Sequence, residues 1–215
     1  VSTGGKIKHN RPMLSLKKTY AVSGVDKWAK GIGSEFVVSP KVDGVACSIR
    51  YGESGRIQVA TTRGDGLEGE DITTLVQRMD SVPKKLSALV GGSLEVRGEI
   101  YVPKSQGDLA GNKGYANLRN AAAGIVSASR YSETDTLTLH FVAYDIQGDH
   151  LAMPEKFSAL YDMGFDIVPY VSTYSGFESA QRLFSSLDSA LPYETDGIVF
   201  RVSDPTESRV LGRTA

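Results

Sequence analysis

The stretch Lys41-Val42-Asp43-Gly44 joins two segments with strand character, and the fold can be worked out from it in both directions. Glu35 to Val38 precedes it, and Val45 to Tyr51 follows it with β-branched and aromatic residues in alternation. A lysine at the mouth of a strand, followed two residues later by a carboxylate, is a setting in which a desolvated amine acts as a nucleophile. The same four residues also fit an ordinary turn, because Pro40 breaks the chain and Asp-Gly is a common turn pair.

The sequence beyond this stretch predicts an antiparallel hairpin. Gly52-Glu53-Ser54-Gly55 supplies turn residues between Val45 to Tyr51 and a returning strand from Arg56 to Arg63. Neighbouring strands that pair in this way, with helices around them, predict an α+β fold. Helices are expected over 25–30, 71–79, 154–163 and 177–191, and further strands over 94–102, 137–146, 166–172 and 197–201. Trp28 is expected to pack in the core.

Length and composition describe one domain that is able to bury a core. The chain has 215 residues, of which 40% are hydrophobic, and no linker or fixed-period repeat divides it. Its net charge of −1 does not indicate nucleic-acid binding, although the first eighteen residues contain a basic group made of Lys6, Lys8, His9, Arg11, Lys17 and Lys18. Cys47 is alone, which excludes an internal disulfide and fits a reducing compartment. No apolar run reaches membrane-spanning length, and because the chain begins with Val1 we expect an excised fragment.

The loop from Gly64 to Asp71 formally matches the G-x-G-x-x-G pattern of dinucleotide-binding folds. Four acids crowd the place where a pyrophosphate would have to bind: Asp65, Glu68, Glu70 and Asp71. The preceding element is a hairpin and not the first strand of a parallel βαβ unit. We therefore reject a Rossmann fold and interpret the acids as stabilising the start of the next helix through its dipole.

The predicted strand 94–102 carries three charges on one face, namely Glu95, Arg97 and Glu99. Such a face contacts either solvent or a polar cleft. Gly98 within the same strand is typical of close approach by a ligand or by another backbone.

A further segment, Asn117 to Gly124, opens a helix with asparagine as a good cap and alanines that allow close packing. Arg119 lies near the N-terminus of this helix, where exposed amide groups and a cation together bind anions. An ordinary amphipathic helix is the alternative interpretation.

Taken in order, these blocks resemble the adenylation (nucleotidyltransferase) core of NAD-dependent DNA ligases, from about Pro12 to the last residue. The matching blocks are Pro12-Met13-Leu14-Ser15-Leu16, Lys41-Val42-Asp43-Gly44, Thr62-Arg63-Gly64-Asp65-Gly66, Glu95-Val96-Arg97-Gly98-Glu99, Asn117 to Gly124 and Asp196-Gly197-Ile198-Val199. The block Asn117 to Gly124 resembles one peculiar to NAD-type ligases and separates the chain from ATP-dependent ligases and capping enzymes. The resemblance implies an ATP-grasp-like α+β core, in which antiparallel sheets with flanking helices form a nucleotide-binding cleft.

The resemblance also implies the reaction and the residues that carry it. Lys41 would attack the α-phosphorus of NAD and release nicotinamide mononucleotide, and the AMP would then pass to the 5′-phosphate of nicked DNA. Lys41 and Asp43 are the implied catalytic residues, with Asp43 holding Lys41 or a metal-bound water. The implied nucleotide-binding residues are Ser15, Leu16, Ser39, Lys41, Arg63, Glu99, Arg119 and Arg201. Glu99 would accept a hydrogen bond from a ribose hydroxyl, and the arginines and a Mg²⁺ ion would offset charge on phosphorus; no residue is assigned as a metal ligand.

Three positions depart from the family pattern. Ser39 stands where the family usually has a glutamate that reads the adenine amino group, and Arg201 stands where it usually has a lysine. Ser127 stands where an arginine is common. These changes are similar to those of the shorter, divergent members of the family.

The resemblance further implies that residues 1–215 are an adenylation core truncated at both ends. An N-terminal domain that binds nicotinamide mononucleotide is not recognisable in the chain, nor are OB-fold, zinc, helix-hairpin-helix or BRCT regions. The implied protein is a cytoplasmic, nucleoid-associated monomer that acts on nicked double-stranded DNA. Two alternatives are an ATP-using nucleotidyltransferase and a degenerate nucleotide- or DNA-binding module without turnover.

Overall fold

The computed structural model describes residues 5–87, 92–127, 137–148, 150–174 and 177–211. Its strands are β1 (Lys6–Lys8), β2 (Phe36–Val42), β3 (Val45–Tyr51), β4 (Ile57–Thr62), β5 (Glu68–Glu70), β6 (Leu94–Tyr101), β7 (His140–Ile146), β8 (Val171–Thr173) and β9 (Thr195–Val202). Its α-helices are α1 (Val22–Ala29), α2 (Thr73–Arg78), α3 (Gly107–Asn112), α4 (Leu118–Ser127), α5 (Met153–Asp162), α6 (Phe177–Leu187) and α7 (Pro205–Val210). Single 3₁₀ turns lie at Lys104–Gln106 and Asp188–Ala190.

The strands form antiparallel sheets, which confirms the predicted α+β class. A four-stranded sheet has the order β4-β3-β6-β7, a three-stranded sheet has the order β8-β2-β9, and β1 pairs with β5. The predicted hairpin is β3 and β4, in which Cys47 lies opposite Thr62. Because β2 and β3 belong to different sheets, the residues between them lie where the two sheets meet.

The main core lies between the four-stranded sheet and its helices, where α2, α4 and α5 contact β4, β6 and β7 respectively. Phe157 of α5 and Phe141 of β7 are fully buried there. One face of β2 joins this core through Val37, whereas Phe36 and Val38 on the opposite face pack against α1 and α6. Alternation along β2 therefore gives the three-stranded sheet one face toward the main core and one toward its own helices.

The structure corrects the prediction that Pro40 breaks the chain before Lys41. Pro40 lies inside β2 opposite Ile198 of β9, and the strand continues through Val42. The described pairing of β8 with β2 covers only 36–38, so β2 has an unpaired side beyond it. Proline has no N–H group to donate and is tolerated in such a position.

Two smaller predictions were wrong. Trp28 is 38% exposed and packs at the surface against Phe36, with ring centroids 5.4 Å apart, instead of lying in the core. The strand predicted over 166–172 is reduced to β8, because only Val171–Thr173 pairs with β2. Among the described residues, no helix combines the length and the apolar character needed to cross a membrane.

Candidate active site at the junction of the two sheets

Lys41 lies near the end of β2, opposite Gly197 of β9. Its Nζ donates hydrogen bonds to both carboxylate oxygens of Asp196, each at 2.7 Å, and about a third of its side chain is exposed. Asp196 was not among the predicted site residues. The available signal was its Asp-Gly pair, which repeats Asp43-Gly44 at the start of another strand.

Asp43 was expected to hold Lys41 or a metal-bound water, and in the structure its carboxylate accepts a hydrogen bond from Arg119 Nη1 at 3.0 Å. Its backbone N–H donates to the Glu194 carbonyl at 2.9 Å, which ties the loop after β2 to the segment before β9. Arg119 is held at the start of α4, where Asn117 Oδ1 accepts from the Asn120 backbone N–H at 2.8 Å. The predicted asparagine cap is thus present, and it fixes the helix end that carries Arg119.

Glu99 of β6 lies among these charges. Burial raises the pKa of its carboxyl to about 8, while the positive charges of Lys41 and Arg119 act in the opposite direction. The negative charge of Asp196 raises that pKa further and Arg63 lowers it, so four of the collected side chains act on this one group. A carboxyl with this pKa is neutral over much of the range below pH 8 and is then able to donate a hydrogen bond as well as accept one.

Arg201 of β9 lies opposite Val37 of β2. Its Nη1 is 3.5 Å from the hydroxyl of Ser39, and its guanidinium carbon lies 5.2 Å from the centre of the Tyr144 ring. Burial lowers the pKa of Arg201 and raises that of Tyr144. Only 1% of Ser39 is exposed, so the serine at this position leaves a small hydroxyl beside a buried cation. Tyr144 was missed, because a tyrosine within an apolar strand gives no signal of its own.

Arg63 brings the N-terminal segment to the same region. Its Nη1 donates to Ser15 Oγ at 2.9 Å, and its carbonyl accepts from His9 Nε2 at 3.0 Å. Leu16 follows with 45% of its surface exposed. The structure therefore brings Ser15 and Arg63 together, and it leaves Leu16 partly exposed.

The donor groups of the described residues do not form a preformed metal cage. No group of three or more His, Cys, Asp or Glu side chains within that part of the chain is arranged to hold a metal ion. The carboxylates of Asp43 and Asp196 are both engaged in ion pairs.

Taken together, the side chains give a recognisable chemical arrangement. A lysine amine with an adjacent carboxylate acts as a nucleophile with a proton acceptor. Arginines around it stabilise negative charge such as that on phosphorus. This arrangement suits attack on a phosphate ester.

Comparison with known structures supports the fold. An archaeal ATP-dependent RNA ligase (form 1) superposes with a TM-score of 0.55 at 17% identity, covering 90% of this chain and 46% of that one. A mycobacterial DNA ligase D complexed with ATP and MES gives a TM-score of 0.50 at 14% identity, covering 90% of this chain and 54% of that one. At these identities the likeness shows the fold alone, namely that of ligase nucleotidyltransferase domains.

Comparison of sequences identifies the family. The DNA ligase of Wolbachia pipientis wMel is 36% identical over 221 residues, which cover 97% of this chain and 33% of the relative. The DNA ligase of Saccharophagus degradans is 36% identical over 221 residues, covering 92% of this chain and 33% of the relative. The chain thus spans about a third of the length of these curated relatives. The profile of the NAD-dependent DNA ligase adenylation domain matches residues 2–215, and the chain therefore belongs to the NAD-dependent DNA ligase family through its adenylation domain.

Proposed function

We propose that this chain is the part of a DNA ligase that takes AMP from NAD onto Lys41 and passes it to the 5′-phosphate of nicked DNA. The observation that carries the proposal is the position of the Lys41 amine. It lies 2.7 Å from both oxygens of Asp196 and close enough to Glu99 for its charge to act on that carboxyl. The closeness of Lys41, Asp196 and Glu99 supports the roles proposed for them, namely nucleophile, proton acceptor and polar contact for the sugar.

The first step forms a bond between Lys41 Nζ and the α-phosphorus of NAD and breaks the bond from that phosphorus to the departing phosphate oxygen. Nicotinamide mononucleotide leaves with the electron pair of the broken bond. The ammonium has to lose a proton before its nitrogen can attack, and the carboxylate of Asp196 is the group placed to accept it. In the second step the 5′-phosphate of the nick displaces the lysine from AMP. The neighbouring 3′-hydroxyl then displaces AMP and seals the strand.

The surrounding residues take the nucleotide-binding roles. Glu99 binds a ribose hydroxyl, and Arg63, Arg119 and Arg201 face the phosphates, where guanidinium groups bind oxygen pairs well. Ser39 and Ser15 are proposed to make small polar contacts with the nucleotide. Leu16 is 45% exposed and is proposed to make an apolar contact that the bound nucleotide covers.

Asp43 has a changed role in this proposal. Because its carboxylate pairs with Arg119 at 3.0 Å, it orients that arginine across the cleft. Asp196 takes over the contact with Lys41 that the sequence had suggested for Asp43.

Mg²⁺ remains in the proposal as an ion that arrives with the substrate phosphates. Mg²⁺ is normally bound through one or two carboxylates together with such phosphates. No step is assigned to the ion.

The wider setting is proposed on the same basis. Residues 1–215 form the adenylation core, the partner is nicked double-stranded DNA, and the protein acts as a cytoplasmic, nucleoid-associated monomer in replication or repair. The block Asn117 to Gly124 and the match to the NAD-dependent family support NAD over ATP as the donor.

The proposal is tested by measuring intact mass after incubation with NAD. The chain is assayed alone and fused behind an N-terminal domain that binds nicotinamide mononucleotide. The fused protein is expected to gain one AMP unit, and Lys41→Ala is expected to abolish this gain. Lys104→Ala is the control, because Lys104 is another lysine that pairs with an aspartate, Asp188, at a longer distance of 3.6 Å.

Three results contradict parts of the proposal. An adduct that persists in Lys41→Ala excludes this lysine as the nucleophile. Adduct formation from ATP but not from NAD favours the ATP-using nucleotidyltransferase. Binding of AMP without any covalent mass gain favours a binding module without turnover.

A further inference from the structure

A buried ion pair lies on β6 next to the candidate site. Arg97 and Glu95 are each 8% exposed, and Arg97 Nε and Nη2 both lie 2.9 Å from Glu95 Oε1. Ser48 Oγ donates to the same oxygen at 2.9 Å. The three-charge face of this strand is therefore a polar interior and not a solvent face. Burying a charge pair costs free energy unless further hydrogen bonds offset it. The remaining N–H groups of Arg97 are therefore expected to have acceptors as well.

Those donors bind the backbone of the N-terminal segment Arg11 to Leu16. Arg97 Nη1 donates to the Pro12 carbonyl at 3.0 Å, and Nη2 donates to the Arg11 carbonyl at 2.5 Å. The segment has no helix or strand of its own. A planar guanidinium fixes two consecutive carbonyls and a carboxylate at once, whereas a lysine ammonium acts as a compact point charge without this fork.

The segment that Arg97 holds leads directly to the nucleotide cleft. Met13, which follows Pro12, is 5% exposed, and its N–H donates to the Gly66 carbonyl at 2.8 Å. Ser15 then accepts the hydrogen bond from Arg63 Nη1 at 2.9 Å. Arg63 is otherwise a long, exposed side chain whose charge acts on Glu99. Holding Ser15 in place thus restricts where the guanidinium of Arg63 lies.

We propose that Arg97 is a positioning residue for nucleotide binding, which acts through the Arg11 to Leu16 segment and Ser15 to hold Arg63 toward the cleft. This inference rests on the proposed function, since it takes a nucleotide phosphate as the partner of Arg63. Arg97 itself touches no substrate. Its effect on nucleotide affinity therefore passes through Ser15 and Arg63. This effect disappears when the hydrogen bond between Ser15 and Arg63 is removed.

The chain offers a matched control on the neighbouring strand. Arg50 of β3 also reaches the N-terminal segment, because its Nη1 donates to Asn10 Oδ1 at 2.8 Å. That contact is with a side chain and lies before the two carbonyls that Arg97 binds. Arg50→Met therefore removes an arginine from the same surface without releasing the backbone of Arg11 and Pro12.

The test measures AMP affinity by isothermal titration calorimetry on the 215-residue chain, with Arg97→Lys and Arg97→Met each made alone and with Ser15→Ala. Each Arg97 change is expected to weaken AMP binding about tenfold when Ser15 is present, and by less than about twofold in Ser15→Ala, since coupled residues are not additive. Arg50→Met is expected to bind AMP within about twofold of the unsubstituted chain. Hydrogen exchange at the Met13 amide is expected to speed up in Arg97→Lys and not in Arg50→Met.

The outcomes separate the inference from the function on which it rests. If the unsubstituted chain binds AMP but the Arg97 variants bind it equally well, or lose affinity equally in both Ser15 backgrounds, the positioning role is wrong and the function stands. If the unsubstituted chain does not bind AMP, the proposed function and this inference both fail. If Arg97→Met does not fold, Arg97→Lys still tests the positioning role, because it keeps a positive charge beside Glu95. Its melting temperature shows whether it is folded.

Discussion

Lys41 and Asp43 are two residues apart in sequence, yet each forms its ion pair with a residue from a different distant element. Lys41 pairs with Asp196 at the start of β9, and Asp43 pairs with Arg119 on α4. The lysine therefore has a carboxylate beside it that is not shared with Arg119, and under the proposed function this carboxylate is its proton acceptor. The second acid orients Arg119, which the same proposal assigns to a phosphate.

Glu99 gives a prediction about stability and pH. Its pKa is raised by burial to about 8 from the ordinary value of 4.5. Below the ordinary value both folded and unfolded chains are protonated, so the group has no effect. As the pH rises toward 8, the unfolded chain ionises first, and the folded state loses stability relative to it.

Glu99→Gln removes this penalty because the amide does not ionise. Its melting temperature is expected to exceed that of the unsubstituted chain at alkaline pH, by about 2–4 °C for each kcal/mol of the penalty that is removed in a domain of this size. The difference is expected to vanish at a pH of about 4, below the ordinary pKa of a glutamate. Thermal unfolding followed across this pH range measures it, with Glu53→Gln on an exposed turn as the control. Parallel pH profiles for Glu99→Gln and the unsubstituted chain would contradict the argument.

At the scale of elements, the glycines near the site are required by neighbouring strands. A Cβ on Gly98 would lie 2.3 Å from both Phe141 Cζ and the Val142 carbonyl oxygen of β7. A Cβ on Gly44 would lie 2.3 Å from the Ile100 carbonyl oxygen of β6. For Gly98, the expectation of close approach by a ligand or by another backbone is therefore met by the adjacent strand.

Gly98→Ala is predicted to destabilise the pairing of β6 with β7. The added methyl group forces Phe141 or the strand backbone to move, and overpacking of this kind costs about 1–3 kcal/mol. Gly107→Ala is the matched control, because its Cβ would meet nothing within 4 Å and the residue begins α3. Urea unfolding measures both variants, and a Gly98→Ala midpoint equal to that of the control would show that the strands have room to adjust.

At the scale of the whole molecule, the candidate site lies between two sheets that share one core. Under the proposed function, a nucleotide at Lys41 and Glu99 would contact β2 and β6 together, so its binding is expected to stabilise the domain as a unit. AMP at about a hundred times its dissociation constant should raise the free energy of unfolding by about 2.7 kcal/mol. Thermal unfolding with increasing AMP measures this, and inorganic phosphate at the same concentrations is the control for an effect of the phosphate alone. A melting temperature that does not change as AMP is added would show that AMP does not bind the folded domain in preference to the unfolded chain.

The sequence by itself determined the main hairpin, the start of α4 and the family. Alternation over 45–51 and 56–63 identified the hairpin, and Asn117 identified the start of α4, because these signals depend on neighbours within a few residues. The ordered motifs identified the NAD-dependent ligase family, which the profile match over residues 2–215 confirms. The sequence motifs predicted that the lysine and the arginines belong to one site, but they did not predict which acid forms an ion pair with each of them.

Only the tertiary structure decided the pairing of charges and the depth of each polar group. Lys41 and Asp196 are 155 positions apart, and they meet because β2 and β9 pair in one register with a shift after Lys41. Arg97 is buried where it binds the N-terminal segment, and Trp28 is partly exposed because α1 lies at the outer face of the smaller sheet. The register of β2 against β9 and the position of the N-terminal segment are set by contacts between distant parts of the chain. Patterns among neighbouring residues carry no information about such contacts.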